Sequence, residues 1–427
     1  MKSIILLCTV LFFGLQLQAQ ETIQISREEA EAMFLQNNLQ LMSEQLNIES
    51  QQAEVIQAKV WPNPQFTISE INLWATDRQT GGEIVSPPLW NSFGKNQQFS
   101  FELQQLVQTA GKRKKRVALE QLDVSKAEQY FEELLRGLKL ELRRQLTELQ
   151  YLQQTIKVHQ NLIDNISILT NAYKNQVEQG NTAKAEYTRL KAQELEINKN
   201  MLELTRQSDE VQKELRMLLR IDPTFSITIS DEELVKDAML YEALVIDQIM
   251  DKAKENRPDY KLALLEEEYA NRLLSYEKSK RVPDMTFGVS YDRNGSTMLD
   301  FVGVGLSFDL PIFDRHKGDI KKAQINIENA RIRQESTRVA IENEIILAHK
   351  SLQQAIHFME KIEPDYEDEL DLLLANYTKS FSSKNLSMLE YFDFIDAYLE
   401  NKKIILEAQK DFSHKVEELN YAIGADL

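Results

Sequence analysis

The chain has 427 residues with only 13 Gly and 9 Pro, so the residues that interrupt helices are scarce for its length. A formal net charge of −17 makes it a poor partner for nucleic acid. A single cysteine, Cys8, excludes a disulfide framework and a cysteine metal site.

Residues 1–20 combine Lys2, an apolar run from Ile4 to Leu15 and the small Ala19, the pattern of a secretory signal peptide cut within Ala19–Glu21. Cys8 lies inside that run, whereas a lipidated cysteine would follow it, so no lipid anchor is expected. Beyond the signal no run of 18 apolar residues occurs, which leaves a β-barrel as the only route into a bilayer. Ser26 with Glu29 three residues on predicts a capping box opening a helix that runs to about Val60. Trp61-Pro62-Asn63-Pro64 ends it. Residues 65–74 and 97–106 read as strands, with Phe99, Phe101 and Leu103 alternating with Ser100, Glu102 and Gln104. Gly81-Gly82 and Pro87-Pro88 mark 75–96 as a loop.

A long helix is expected over about 112–178, roughly 67 residues or ~100 Å, followed by a returning helix over about 184–220. The first and returning helices hold roughly 35 residues each, so end to end they match the long one in a helical wall. Residues 223–240 form a linker crossing at mid-height, with a short strand expected at 225–229. Asn256-Arg257-Pro258-Asp259 marks the start or break of a further helix, which Val282-Pro283 ends. Met285, Phe287, Val289 and Tyr291 then alternate with Thr286, Gly288 and Ser290, and Asn294-Gly295 is a hairpin turn signal. The partner strand sets Val302, Val304, Leu306 and Phe308 against Gly303, Gly305, Ser307 and Asp309. Pro364 falls inside the second long helix and should kink it.

These elements occur twice. A displacement of 204 positions carries Leu106 onto Leu310, Tyr173 onto Tyr377, Asn181 onto Asn385, Glu186-Tyr187 onto Glu390-Tyr391 and Asp222 onto Asp426, with no gap. The chain therefore reads as two structural repeats, 21–222 with a hairpin at 65–106 and 241–427 with a hairpin at 284–310. Each runs helix, hairpin, long helix, turn, returning helix. Strands of about ten residues with one apolar face have the length of outer-membrane staves, and open edges are not tolerated in lipid. Several chains must pool their hairpins, and three chains would supply twelve strands.

In this arrangement the chain resembles the TolC family of outer-membrane efflux ducts, most closely its CzcC/CusC-like metal-efflux branch. The resemblance covers essentially the whole mature chain. It rests on Trp61-Pro62-Asn63-Pro64 before the first strand, Gly111-Lys112-Arg113 after the second, the Tyr173…Gly180 and Tyr377…Lys384 turns, Asn256-Arg257-Pro258-Asp259 and the repeat. It implies a mainly α fold with a small β part: a homotrimeric barrel in outer-membrane lipid, four strands per chain, above a long periplasmic helical tunnel. It implies as partners a periplasmic adaptor protein and an inner-membrane resistance-nodulation-division pump, and as cargo metal cations or drugs.

The resemblance also implies that the turns at 180–184 and 384–387 form a closed periplasmic tip, with acidic residues just past the second turn lining a constriction. The matching positions are Glu390 and Asp393, with Glu186 and Arg189 in the first repeat and Phe381 on the inner wall. Glu390 and Asp393 are three apart, on one helical face, and three copies would ring an axis with six carboxylates of mutually raised pKa. The alternative is a solvated acidic face. Arg189 or Lys384 reaching a neighbouring carboxylate would hold the tip closed. Lys384 stands where the family usually has glycine.

Three further features carry less. The basic run Lys112–Arg116, matched by Arg315-His316-Lys317, suits a strand–helix junction facing lipid phosphates or carboxylates. His349 and His357, eight apart on one helix side, lack a third ligand and read as surface or packing residues. No phosphate loop, HExxH or nucleophile elbow is present, so no enzyme activity and no cofactor are expected. A periplasmic coiled-coil scaffold or an adaptor without a barrel is the competing class, and an adaptor would carry one hairpin and far more β structure.

Overall fold

A computed structural model describes residues 21–72, 98–230, 241, 243–293 and 300–427. The signal segment with Cys8, the 75–96 loop, the Asn294-Gly295 turn and the 231–240 part of the linker lie outside the described residues. The elements are β1 (Thr22–Ile25), α1 (Arg27–Asn37), α2 (Leu39–Lys59), β2 (Gln65–Asn72), β3 (Gln98–Val107), α3 (Lys112–Glu178), α4 (Lys184–Leu219) and β4 (Ser226–Ile229). They continue with α5 (Ile246–Asn256), α6 (Pro258–Ser279), β5 (Met285–Arg293), β6 (Asp300–Ser307), α7 (Lys317–Met359), α8 (Tyr366–Ser382) and α9 (Met388–Ile423). No described helix is long and apolar enough to cross a membrane.

Two compact units form, and each draws on both halves of the sequence. One takes in the chain to Glu44, Phe131–Pro258 and Arg338–Leu427, and the other Gln45–Tyr130 and Asp259–Thr337.

In the first unit, Leu142, Leu146 and Leu149 put one apolar stripe of α3 into a core with Phe34, Leu41, Leu215, Leu219, Ile227 and Ile229. The Ser26–Glu29 capping box forms as expected. The helix it opens does not reach Val60 unbroken, because Asn38 interrupts it. Asn38 is buried, with φ −66° and ψ 120°; its side-chain amide donates to Leu218 O at 3.0 Å while Oδ1 accepts from the Gln40 and Leu41 amides at 3.0 and 3.1 Å. A side chain that caps the following helix and bonds a distant carbonyl makes the break stable. Arg257 repeats that conformation before Pro258, at φ −66° and ψ 121°, with its guanidinium on Glu344 Oε2 at 2.6 Å and Ala422 O at 2.8 Å. The linker strand forms as β4, but it pairs in parallel with β1, a strand that sequence reading did not anticipate.

Pro364 does more than kink the second long helix. The chain leaves helix after Met359 and re-enters at Tyr366, so α7 and α8 are separate. The residue before a proline is driven out of the helical region, and Glu363 is accordingly non-helical.

In the second unit the strands form one antiparallel sheet in the order β2-β3-β5-β6, with β2 and β6 at its edges. The register aligns Phe66 with Leu103, Ile68 with Phe101, Leu103 with Val289, Phe101 with Tyr291, Tyr291 with Val302 and Phe287 with Leu306. One face is therefore apolar on all four strands, and Phe99, Phe101 and Tyr291 form aromatic contacts along it. The other face carries Thr67, Glu102, Gln104, Ser290, Gly288, Gly303 and Gly305, with Leu106 and Phe301 among its apolar members.

The first two residues of the basic run, Lys112 and Arg113, are spent within the protein. Lys112 is only 8% exposed and donates to Val282 O at 2.6 Å and Asp284 Oδ1 at 2.7 Å. Arg113 stacks on the Trp61 ring at 4.0 Å and donates to Lys59 O. These bonds give the carboxylate half of the junction role expected for the run.

Candidate functional site at the helix turns

The two helical turns have one design. α3 ends at Glu178 and α4 begins at Lys184; α8 ends at Ser382 and α9 begins at Met388. At the first turn the Gly180 amide donates to Val177 O at 3.0 Å and the Asn181 amide to Gln176 O at 2.8 Å. At the second, the Lys384 amide donates to Phe381 O and the Asn385 amide to Ser380 O, both at 3.0 Å. These are helix-end bonds that close on a left-handed residue.

The hairpins share a core. Leu162, Ile166, Leu169, Leu190 and Ile197 from α3 and α4 pack with Leu370, Leu374, Phe381, Tyr391, Ile395 and Tyr398 from α8 and α9. Tyr173, Phe381 and Tyr391 form a parallel stack, with centroids 5.6 and 4.5 Å apart and both interplanar angles 4°. Tyr391 is fully buried and its hydroxyl lies 3.3 Å from Thr378 Oγ1. Phe381, expected on an inner wall before the turn, is the centre of the stack at 2% exposure within one chain. Its aromatic partners come from other helices, which is why spacing alone did not reveal it.

The charged candidates behave differently. Glu186, Arg189, Lys384, Glu390 and Asp393 are all exposed. Glu390 completes a second capping box: its Oε2 accepts from the Ser387 amide at 2.9 Å and the Ser387 hydroxyl at 2.6 Å. Within one chain those bonds, the hydroxyl's foremost, hold the Glu390 carboxyl below its ordinary range. Within one chain the raised acid is Asp396, through burial first, then Glu196 and Asp393, against a bond from Gln193. Sequence reasoning passed over Asp396 and Glu196, although the three-residue steps Glu390, Asp393 and Asp396 were available as a signal. Glu186 adds to the burial that raises the Tyr173 hydroxyl pKa. Arg189 and Lys384 take no carboxylate of their own chain among the described residues.

The other ligand-type residues sit elsewhere. His349 is half-buried, while the exposed His357 faces Glu360 at 3.2 Å. Neither belongs to a group of three converging ligands among the described residues. Below the turns, Lys402 is buried and bonds Glu367 and Asp371 at 3.0 Å each, and Asp371 also accepts from the Tyr398 hydroxyl at 2.8 Å. Such a network ties α8 to α9 and keeps the turn residues in place.

Residues 32–219 match the family described as outer membrane efflux protein. The cobalt-zinc-cadmium resistance protein CzcC of Cupriavidus metallidurans is 19% identical over 332 residues, covering 77% of this chain and 73% of that one. The fold is shared with the CmeC outer membrane channel of Campylobacter jejuni at a TM-score of 0.73 and 13% identity, over 93% of this chain and 85% of that one. It is shared with CusC at 0.70 and 15%, over 95% and 94%.

Proposed function

We propose that this chain is a TolC-like outer-membrane exit duct of the outer membrane efflux protein family, and that it assembles and selects in the following way. The carrying observation is the four-stranded sheet with two open edges and one apolar face. A sheet with open edges does not stand alone in lipid, so three chains close it into a twelve-strand barrel with the apolar face outward. Exposed apolar side chains on the helices, among them Leu39, Leu46, Leu195 and Leu202, support the same reading, because a pooled helical wall would cover them. The duct is a conduit without a catalytic step, and its energy comes from an inner-membrane pump reached through a periplasmic adaptor.

At the turns, three copies of Glu390 and Asp393, with Asp396 and Glu196 beside them, surround the constriction. A ring of carboxylates favours cations and holds divalent ions weakly through oxygen ligands. The Ser387 bonds keep Glu390 ionised, which strengthens this preference. Metal cations are the cargo class such a ring suits best; CzcC, named for metal resistance, is the relative that agrees with it.

Planar-bilayer recording of the purified protein tests the reading. We expect cation-preferring pores blocked by divalent ions, and loss of both properties in the Glu390→Ala, Asp393→Ala double variant. Unchanged selectivity and block would return these residues to a solvated helix face. A chain that stays monomeric in mild detergent with every strand protected from hydrogen exchange would overturn the shared barrel.

A further inference from the structure

The two strand-to-helix junctions are held in different ways. After β3 the chain enters α3 within four residues, and buried Lys112 pins it to Asp284 and the Val282 carbonyl. After β6 the connection takes nine residues, and the position 204 beyond Lys112 is His316. No ammonium stands there. Instead His316, Asp319 and Glu277 each present a ligand atom, all within 4.8 Å of one another.

From this convergence we propose that Glu277, His316 and Asp319 form a binding site for a first-row divalent transition cation of the Zn²⁺ type. The donor set is one imidazole nitrogen and two carboxylate oxygens, which suits borderline cations and leaves at least one coordination position open. Three features indicate a built site. The His316 ring nitrogen Nδ1 lies 3.4 Å from Asp319 Oδ2, the separation that two ligands about 2 Å from one ion would have. His316 is held at φ +53°, with its amide donating to Asp314 Oδ1 at 2.8 Å and its carbonyl accepting from Ile320. Glu277, in the last turn of α6, is only 8% exposed, and its Oε2 is buried with no hydrogen-bond partner. A buried carboxylate oxygen left without a partner is costly, and a cation shared with His316 and Asp319 satisfies it.

One residue opposes the ion. The Lys280 ammonium bonds the other oxygen of Glu277, Oε1, at 2.8 Å and lies 4.7 Å from the Tyr276 ring centroid. Its charge weakens cation binding without occupying Oε2. A bound ion would tie α6 to the start of α7 and so fasten the longer junction, the task Lys112 performs at the shorter one. This site is separate from the turns, and it stands or falls independently of the selectivity proposed for them.

Co²⁺ titration of the tag-free, metal-stripped, detergent-solubilised protein tests the proposal, with visible absorption and calorimetry as readouts. We expect one equivalent per chain with the ligand-field bands of a nitrogen-containing, low-coordinate site, displaced by Zn²⁺. His316→Ala and Glu277→Gln should each weaken binding by at least about tenfold, the lower end of what loss of even an outer-sphere partner costs. Lys280→Gln should tighten it, a sign that a purely structural role would not produce. His357→Ala, which alters another exposed His–Glu pair, should leave the site intact. No Co²⁺ binding by the wild-type chain, or binding unchanged in both His316→Ala and Glu277→Gln, overturns the proposal. Should Glu277→Gln fail to fold, His316→Ala and Lys280→Gln decide alone.

Discussion

Lys384 repeats the backbone of Gly180 204 residues later: φ is +60° at the lysine and +74° at the glycine, and the flanking amide bonds correspond one for one. Left-handed conformation costs a residue with a β-carbon about 1–2 kcal/mol, so the second turn holds its shape against the preference of its own central residue. The lysine thus takes up the same left-handed turn geometry as the glycine. The Phe381 and Ser380 carbonyls bind the two amides that follow, and the buried aromatic stack anchors the helices on either side.

Lys384→Gly should change stability by less than about 1 kcal/mol, because relief of strain offsets the freedom glycine adds to the unfolded chain. Lys384→Val should cost about 1–2 kcal/mol relative to Gly, since a β-branched residue tolerates positive φ poorly. Thermal unfolding followed by helical circular dichroism reads both. Equal melting of the Val and Gly variants would show that the turn is not under this constraint.

The turns differ at the helix that follows them. Ser387 caps α9, whereas Ala183, its counterpart at φ −69° and ψ 138°, offers α4 no side-chain bond. Ala183→Ser should add about 1 kcal/mol and Ser387→Ala should remove a similar amount. The second change should also let the Glu390 carboxyl titrate higher, toward its ordinary value, because its two strongest bonds come from Ser387. Carbon-detected NMR titration of Glu390 provides the check, and an unmoved titration would refute the assignment of the shift to the cap.

The faces of the sheet make a sharper prediction. Val304 points from the apolar face at 87% exposure in the single chain, and Gly305 lies on the other face with nothing within 4 Å of an added β-carbon. In a bilayer Val304→Arg should cost about 2–4 kcal/mol at the midplane, and Gly305→Arg far less. Assembly yield in the outer membrane distinguishes them. Equal yields would mean that the facing is reversed or that the sheet does not meet lipid.

Acid should loosen the C-terminal end. Arg143 grips both oxygens of Asp426 at 2.6 and 3.1 Å, bonds Glu31 and Glu417, and is joined by Lys139 at 2.8 Å. The hydrogen bond from Arg143 holds Asp426 well below the usual carboxylate range, against a desolvation that pushes it up, with Lys139 assisting. A carboxylate whose folded pKa is depressed contributes stability that is complete above the unfolded value, near 4, and is lost as pH falls below it. Asp426→Asn should thus lower the melting temperature at pH 7 and flatten its decline below about pH 4. A decline identical to wild type would place the acid sensitivity elsewhere.

Much of this was legible in residue order. Alternating apolar residues gave every strand of the sheet, and the absence of Pro between Lys112 and Glu178, with Gly137 the single glycine, gave the long helix to its ends, since both signals act over a few neighbouring residues. The 204-residue displacement carried the turn geometry as well, even where lysine replaced glycine. What residue order could not supply was any choice made by distant partners. Asn38 breaks a helix because the Leu218 carbonyl is there to receive its amide, and β1 exists only because β4 lies beside it. Phe381 is buried by rings from other helices, and the Glu277 oxygen is unsatisfied because folding buried it beside His316 and Asp319. Periodicity and punctuation are local and were settled by the sequence; burial, and with it the state of each buried polar or aromatic group, depends on what the tertiary structure brings against it.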